Sequence, residues 1–235
     1  MTAAPLHLAG ERLMLDPCGV VFWPARRTLV VSDLHLEKGS HFAARGYFVP
    51  PYDTRETLSK LALAMRRYAP SRLILLGDSF HDALGCQRMA SADCAALGRL
   101  LASVEEVVWV LGNHDPVAPV GLPGFAVEVM TDGPLTFRHE ADPRADGELS
   151  GHFHPKATLP TRAGPVTRPC FATDGRRVIL PAFGAYTGGL DLRDPALGGL
   201  FPRGGRAFML GTDRLFSVPV APMRRPARGQ AESAA

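Results

Sequence analysis

A chain of 235 residues with 46% hydrophobic and 21% charged residues can bury one substantial core, and its formal net charge of +3 is too small to define a partner. These proportions exclude a disordered or supercharged chain, and no apolar run reaches the roughly 20 residues of a membrane span. Cys18, Cys86, Cys94 and Cys170 show no zinc-knuckle or disulfide spacing, and Met1–Pro5 shows no secretory leader; free thiols in a reducing cytoplasm are expected.

In chain order, Thr28–Ser32 is an apolar run that reads as a buried strand ending at Asp33. Asp53 followed by Glu56 resembles a capping box, and Leu58, Leu61 and Met65 continue at helical spacing until Pro70. Leu73–Leu76 repeats the strand pattern before Gly77-Asp78. A second helix is predicted over Arg88–Ser103, with Cys94, Leu97 and Leu101 on one face, and Val107–Leu111 is a third strand before Gly112-Asn113. Strand, helix, strand, helix, strand implies parallel pairing with crossover helices. Beyond Pro116, short apolar stretches at Ala126–Met130, Leu135–Arg138, Val178–Leu180, Ala207–Leu210 and Leu215–Val220 predict a strand-rich, largely antiparallel half. The expected architecture is α/β: two packed sheets with helices outside, one domain over residues 1–220. A disordered tail rich in Arg, Pro and Ala is expected over 221–235.

Charge is uneven along the chain. Residues 1–160 carry 15 Lys+Arg against 18 Asp+Glu, and residues 161–235 carry 11 against 5. Arg162, Arg168, Arg176, Arg177, Arg203 and Arg206 therefore either form a phosphate-facing surface or simply solvate an arginine-rich half; the second is the default.

Five short segments carry chemistry: Asp33-Leu34-His35, Gly77-Asp78, Gly112-Asn113-His114-Asp115, His139, and Gly151-His152-Phe153-His154. Taken singly they are weak, since Asp-x-His and Gly-Asp are ordinary turns. Five of the eight histidines fall in these segments, each beside a strand-like run, which makes coincidence a poor account. The donors suit two divalent cations that grip a phosphate ester and the attacking water. His152 and His154 are expected to alternate on one strand and so share a face.

In order and spacing these segments resemble the motifs of the calcineurin-like metallophosphoesterase superfamily, D-x-H, GD, GNH(D/E), H and GHxH. That resemblance implies a four-layer sandwich of two mixed β-sheets flanked by helices, with the dimetal site on loops at strand C-terminal ends. It implies one metal on Asp33, His35 and His154, a second on Asn113, His139 and His152, and Asp78 between them. His139 is the one departure, because Arg138-His139-Glu140 lacks the preceding glycine of many relatives. His114 becomes the catalytic side chain, and Asp115, His81 and Asp82 become candidates to orient a ligand or His114. Ser32–Gly39, Pro50–Thr54, Gly77–Asp82 and Pro181–Gly189 further resemble the bacterial ligase-associated DNA-damage-response endonuclease (PdeM) family. Protein Ser/Thr phosphatases of the superfamily read GDxxDRG and GNHE; here His81, the missing Arg-Gly after Asp82, and Asp115 argue against that activity.

The resemblance thus implies a repair endonuclease that hydrolyses DNA phosphodiesters by metal-activated hydroxide. Its cofactors would be two divalent ions, manganese first, with iron, zinc or cobalt able to use the same donors. Single-stranded or flexible DNA is the expected partner, with functional association to a DNA ligase, a helicase and an exonuclease, and no membrane. Lys38, His41, Arg45 and Arg55 are the places to look for phosphate contacts, against a plain exposed polar face. Tyr47, Phe48 and Tyr52 either stack bases or pack the loop beside Pro50-Pro51. The alternatives are a small-molecule phosphomonoesterase or cyclic-nucleotide phosphodiesterase and, less in keeping with a complete donor set, an inert binding scaffold.

Overall fold

In the computed structural model, which describes residues 2–222, the unbroken apolar runs form the middle of a sheet. β1 (Ala4–Leu8), β2 (Glu11–Leu15) and β3 (Val21–Trp23) make an antiparallel meander into β4 (Thr28–Val31). From β4 the pairing is parallel through β5 (Arg72–Leu76), β6 (Glu106–Val110) and β7 (Phe125–Val127). The crossovers carry α1 (Lys38–Ala43) and α2 (Asp53–Tyr68), then α3 (Gly85–Arg88) and α4 (Ser91–Leu101).

The second sheet contains β8 (Val129–Asp132), β9 (Leu135–Arg138), β10 (Glu148–Ser150), β12 (Gly164–Thr173), β13 (Arg177–Ile179), β14 (Gly205–Leu210) and β15 (Leu215–Val220). Its order is β15-β14-β12-β13-β10-β9-β8, and β11 (Lys156–Thr161) hangs on β12 as a hairpin. A single turn, α5 (Pro195–Gly198), is capped by the Asp194 carboxylate accepting from the Ala196 N–H at 2.9 Å. The expected tail lies, from residue 223 on, outside the described residues.

Period-2 alternation divides the central strands between two cores. Leu29, Val31, Leu73, Leu75, Val107 and Trp109 face Leu58, Leu61, Met65, Leu97 and Leu101 of the helices. Their neighbours Val30, Ile74, Val108 and Val110 face Phe137, Leu149, Phe171 and Val178 of the second sheet. A third cluster, with Phe201, Leu197 and Met209, covers that sheet's outer side. The sandwich is therefore layered as expected, but its second outer layer is one helical turn with loop segments.

Several local expectations fail for identifiable reasons. Asp53 is not a cap: Tyr52 holds that position without a side-chain bond, and the Asp53 carboxylate accepts the Gly39 N–H at 3.0 Å instead. The Arg88–Ser103 helix breaks at Met89 and Ala90, both extended, while Arg88 reaches back to Asp82 with two bonds of 2.9 and 2.6 Å. The Ala126–Met130 strand is cut at Glu128, where the chain leaves the first sheet for the second. The second half is largely antiparallel as expected, with β10 the exception in pairing parallel to both β9 and β13.

One buried charge ties the meander to the helices. Asp16 accepts the Cys18 N–H at 2.8 Å, the Tyr68 hydroxyl at 2.5 Å and the Arg67 guanidinium at 2.8 Å. Burial pushes its carboxyl up, but the donors on Cys18, Tyr68 and Arg67 outweigh burial and hold it below its ordinary value. A depressed folded-state pKa contributes stability above the unfolded pKa and loses it as pH falls through the folded one. Asp16→Asn is expected to cost about 1–3 kcal/mol at neutral pH. In urea denaturation the gap between wild type and variant should narrow below about pH 4.

Candidate metal centre

Parallel strands deliver their C-terminal ends to one edge of each sheet, and the two edges meet. Asp33 follows β4, Asp78 follows β5 and Asn113 follows β6; from the other sheet His139 follows β9, and His152 and His154 follow β10. At these exits the backbone turns left-handed at five residues that are not glycine: Asp33 (φ 54°), His35 (φ 44°), Asp78 (φ 49°), His152 (φ 67°) and His154 (φ 47°). Main-chain bonds brace the turned loops. The Asp33 N–H donates to Gly77 O at 3.1 Å, His35 N–H to Asp78 O at 2.9 Å, and Gly151 N–H to His139 O at 2.8 Å. Phe183 and Gly184 donate to Ser32 O and Asp33 O at 3.0 and 3.1 Å.

Two donor groups result. In one, His35 Nε2 lies 3.1 Å from His154 Nε2, which lies 3.2 Å from Asp33 Oδ1. In the other, Asn113 Oδ1 lies 3.0 Å from His139 Nε2 and 2.9 Å from His152 Nδ1, and Asp78 Oδ2 lies 3.4 Å from His139 Nε2. Asp78 Oδ2 is also 3.7 Å from His35 Nε2, so one carboxylate reaches both groups. His152 and His154 do not share a strand face as expected. They sit in a loop, and their left-handed backbones send one ring to each group. The motif glycines explain themselves here. A Cβ on Gly112 would collide with Asp78, and one on Gly151 with Ser32 and Asp33.

The donors suit divalent cations on the geometry alone. His139 Nδ1 lies 3.2 Å from the Leu76 carbonyl, an acceptor only, so Nδ1 carries a hydrogen and Nε2 is the atom turned toward Asn113 Oδ1. Among oxygen acceptors that nitrogen must carry either a proton or a cation. The local field agrees. Burial would lower His139, yet Asp78 and Asp33 outweigh it and hold the ring up at about 9. Asp78 is held down at about 2 against its burial by bonds from His139 and the His114 N–H. His35 is pushed down to about 3, chiefly by burial.

Around these donors lie the remaining candidates. Asp115 accepts four N–H groups: Asp78 and Gly112 at 3.0 and 3.1 Å on Oδ1, Ser79 and Phe80 at 2.7 and 3.2 Å on Oδ2. It thereby straps the second and third motif loops together, and burial, outweighing those bonds, raises its carboxyl to about 6. His114 Nδ1 donates to the His81 carbonyl at 2.8 Å, which turns Nε2 toward Asp78 Oδ2, 4.0 Å away. The His81 ring stands behind His35, with 3.3 Å between their Nδ1 atoms. Asp82 is held between His41 and Arg88, and the Arg88 guanidinium keeps its carboxyl well below the usual range. Lys38 and His41 lie on α1 and Arg45 just beyond it, whereas Arg55 pairs with Asp93 at 3.4 Å in a groove of about 710 Å³ between α2 and α4. Sequence reasoning missed Arg88, whose spacing from Asp82 carries no signal. It also missed the Ser32 hydroxyl, 2.6 Å from Asp33 Oδ2, although Ser32 stands inside a quoted motif.

Fold and site together define a metal-dependent phosphoesterase, a hydrolase of ester bonds. Residues 26–168 match the family profile of calcineurin-like phosphoesterases, and the chain belongs to that family. The nuclease MPE of Pseudomonas putida has a similar structure, with a TM-score of 0.69 and 27% sequence identity over 92% of this chain and 100% of that one. Yfce, a phosphoesterase from E. coli, aligns over 82% of this chain and 98% of its own, with a TM-score of 0.40 and 13% identity. No curated protein shows significant sequence similarity to the chain. Among the described residues no helix is long and apolar enough to cross a membrane.

Asp115→Asn is expected to weaken divalent-metal binding about 10–100-fold, because an amide cannot accept all four N–H groups. Calorimetric titration of metal into variant and wild type measures this; equal affinities would mean that the two loops hold their positions without the strap.

Proposed function

We propose that the chain is a DNA endonuclease of bacterial repair that uses two manganese ions to cut single-stranded or flexible DNA. The observation that carries the reading is the Asp78 carboxylate, which reaches both donor groups with His114 Nε2 beside it. Asp33, His35 and His154 would hold one ion, and Asn113, His139 and His152 the other. The likeness to the Pseudomonas putida nuclease supports a nucleic-acid substrate. Mixed oxygen and nitrogen donors accept manganese, and would accept iron, zinc or cobalt. Bound there, two divalent cations supply an acidified water and neutralise charge developing on phosphate.

The chain's own contribution is positional. Left-handed turns and cross-loop bonds fix the donors before substrate arrives, so little reorganisation is needed during reaction. The His81 carbonyl fixes Nδ1–H of His114, which leaves Nε2 as the atom that carries a proton toward the leaving alkoxide. Asn113 is exposed and His114 half-exposed, so a strand of nucleic acid has access from that side. Cytoplasmic location and association with a ligase, a helicase and an exonuclease follow from the same family reading.

The test is manganese-dependent cleavage of circular single-stranded DNA, with His114→Ala purified in parallel. A circle has no ends, so linearisation reports endonuclease action. His114→Ala is expected to lower the rate about 10²–10⁴-fold while leaving metal content unchanged. Hydrolysis of bis(p-nitrophenyl) phosphate without any cleavage of the circle would keep the phosphoesterase and overturn the nuclease.

A further inference from the structure

The loop between α1 and α2 presents rings to water. Tyr47, Phe48 and Tyr52 are 68%, 88% and 59% exposed, with Val49 between them. They do not pack the loop, which was the other reading of aromatics beside Pro50-Pro51. Exposed apolar clusters of this kind in a folded chain mark binding surfaces.

The main chain under the rings is fastened. The Tyr47 N–H donates to Phe42 O at 3.0 Å, the Tyr52 N–H to Pro50 O at 2.9 Å, and the Tyr186 hydroxyl also reaches Pro50 O at 3.0 Å. Consecutive prolines restrict the backbone further, so the rings are displayed with little ordering cost on binding.

The same fastenings lead to the metal centre. Tyr186 belongs to the segment whose Phe183 and Gly184 N–H groups bond the carbonyls of Ser32 and Asp33. Glu37, two residues after His35, is clasped to the head of α2 by Thr54, whose hydroxyl lies 2.8 Å from Glu37 Oε1 and 2.9 Å from the Glu37 N. Charge points the same way. Residues 38–52 hold Lys38, His41 and Arg45 and no carboxylate. Arg45 bonds only the His41 carbonyl, at 3.2 Å, and among the described residues neither it nor Lys38 is in an ion pair.

We infer that Tyr47, Phe48 and Tyr52 form a base-stacking platform that holds unpaired nucleobases of a single strand beside the metal centre, with Lys38 and Arg45 along the phosphates. Aromatic rings stack on any base, whereas bases in a duplex keep their faces covered by their neighbours. The platform thus selects single strands without reading sequence. This inference rests on the nucleic-acid reading above and assigns the selectivity to named residues.

The test compares fluorescent oligothymidylate with an abasic oligonucleotide of equal length, bound to the full chain with manganese. Joint replacement Tyr47→Ala, Phe48→Ala and Tyr52→Ala is expected to weaken oligothymidylate binding about 10–100-fold and to leave the abasic strand unaffected. Manganese affinity by calorimetry, which involves none of these rings, should be unchanged. Phe48→Trp should bind at least as tightly as wild type, while Phe48→Leu, still apolar, should lose part of the affinity that the triple variant loses. Equal binding of the two strands by wild type, or full binding by the leucine variant, would overturn the platform. Loss of manganese affinity in the triple variant would overturn it too, by assigning the rings to loop packing. Wild type that prefers oligothymidylate without cutting DNA would leave the platform standing and remove only the nuclease reading.

Discussion

Five side chains of the candidate centre stand on backbone that L-amino acids avoid. Each left-handed residue other than glycine costs on the order of 1–2 kcal/mol. For Asp33, His35, Asp78, His152 and His154 together that is comparable to the net stability of an ordinary domain. Such a conformation persists only where its surroundings leave no alternative. Here the constraint comes from main-chain bonds between loops: Asp33 to Gly77, His35 to Asp78, Gly151 to His139, and Gly184 to Asp33. The parallel core strands exist, in effect, to bring those loops to one edge at matching heights.

Electrostatics completes what the backbone begins. Two buried carboxylates, Asp33 and Asp78, face a group of imidazoles, of which His139 is oriented by the Leu76 carbonyl. Without cations one imidazolium faces one carboxylate, which is why His139 is held high and Asp78 low, while burial keeps His35 low. Proton and metal compete for the same lone pairs, so filling the site with cations exchanges one form of charge neutralisation for another. Asp115 belongs to the scaffold, since all four of its bonds are to main-chain N–H groups.

Much of this was legible in the residues, and the pattern of what was not has physical reasons. β4, β5 and β6 are dense apolar runs, and apolarity placed them as periodicity placed the helix containing Leu58, Leu61 and Met65. The donors were readable because their chemistry recurs in a fixed order. β1 and the β11–β12 hairpin escaped because they are mostly solvent-facing and rich in residues that also make loops. The Ala126–Met130 run looked like one strand because apolarity says nothing about which sheet a residue joins. His152 and His154 were placed on a strand face because alternation is the default for a short run; only the left-handed backbone, invisible in composition, sends them apart. The Asp53 carboxylate illustrates the same limit, since its partner Gly39 lies on another helix.

The division of the donors between the sheets has a consequence for the life of the chain. Asp33, His35, Asp78 and Asn113 ride on the first sheet, and His139, His152 and His154 on the second, with the crossing at Glu128. During synthesis neither sheet alone holds a complete centre, and the Phe183–Gly184 brace on Asp33 emerges later still. Bringing the donors together therefore requires that the apolar faces around Val30, Ile74, Phe137 and Phe171 close on each other. A chain whose sheets have parted has its donors divided between them, so catalysis is expected to report that the sandwich is shut.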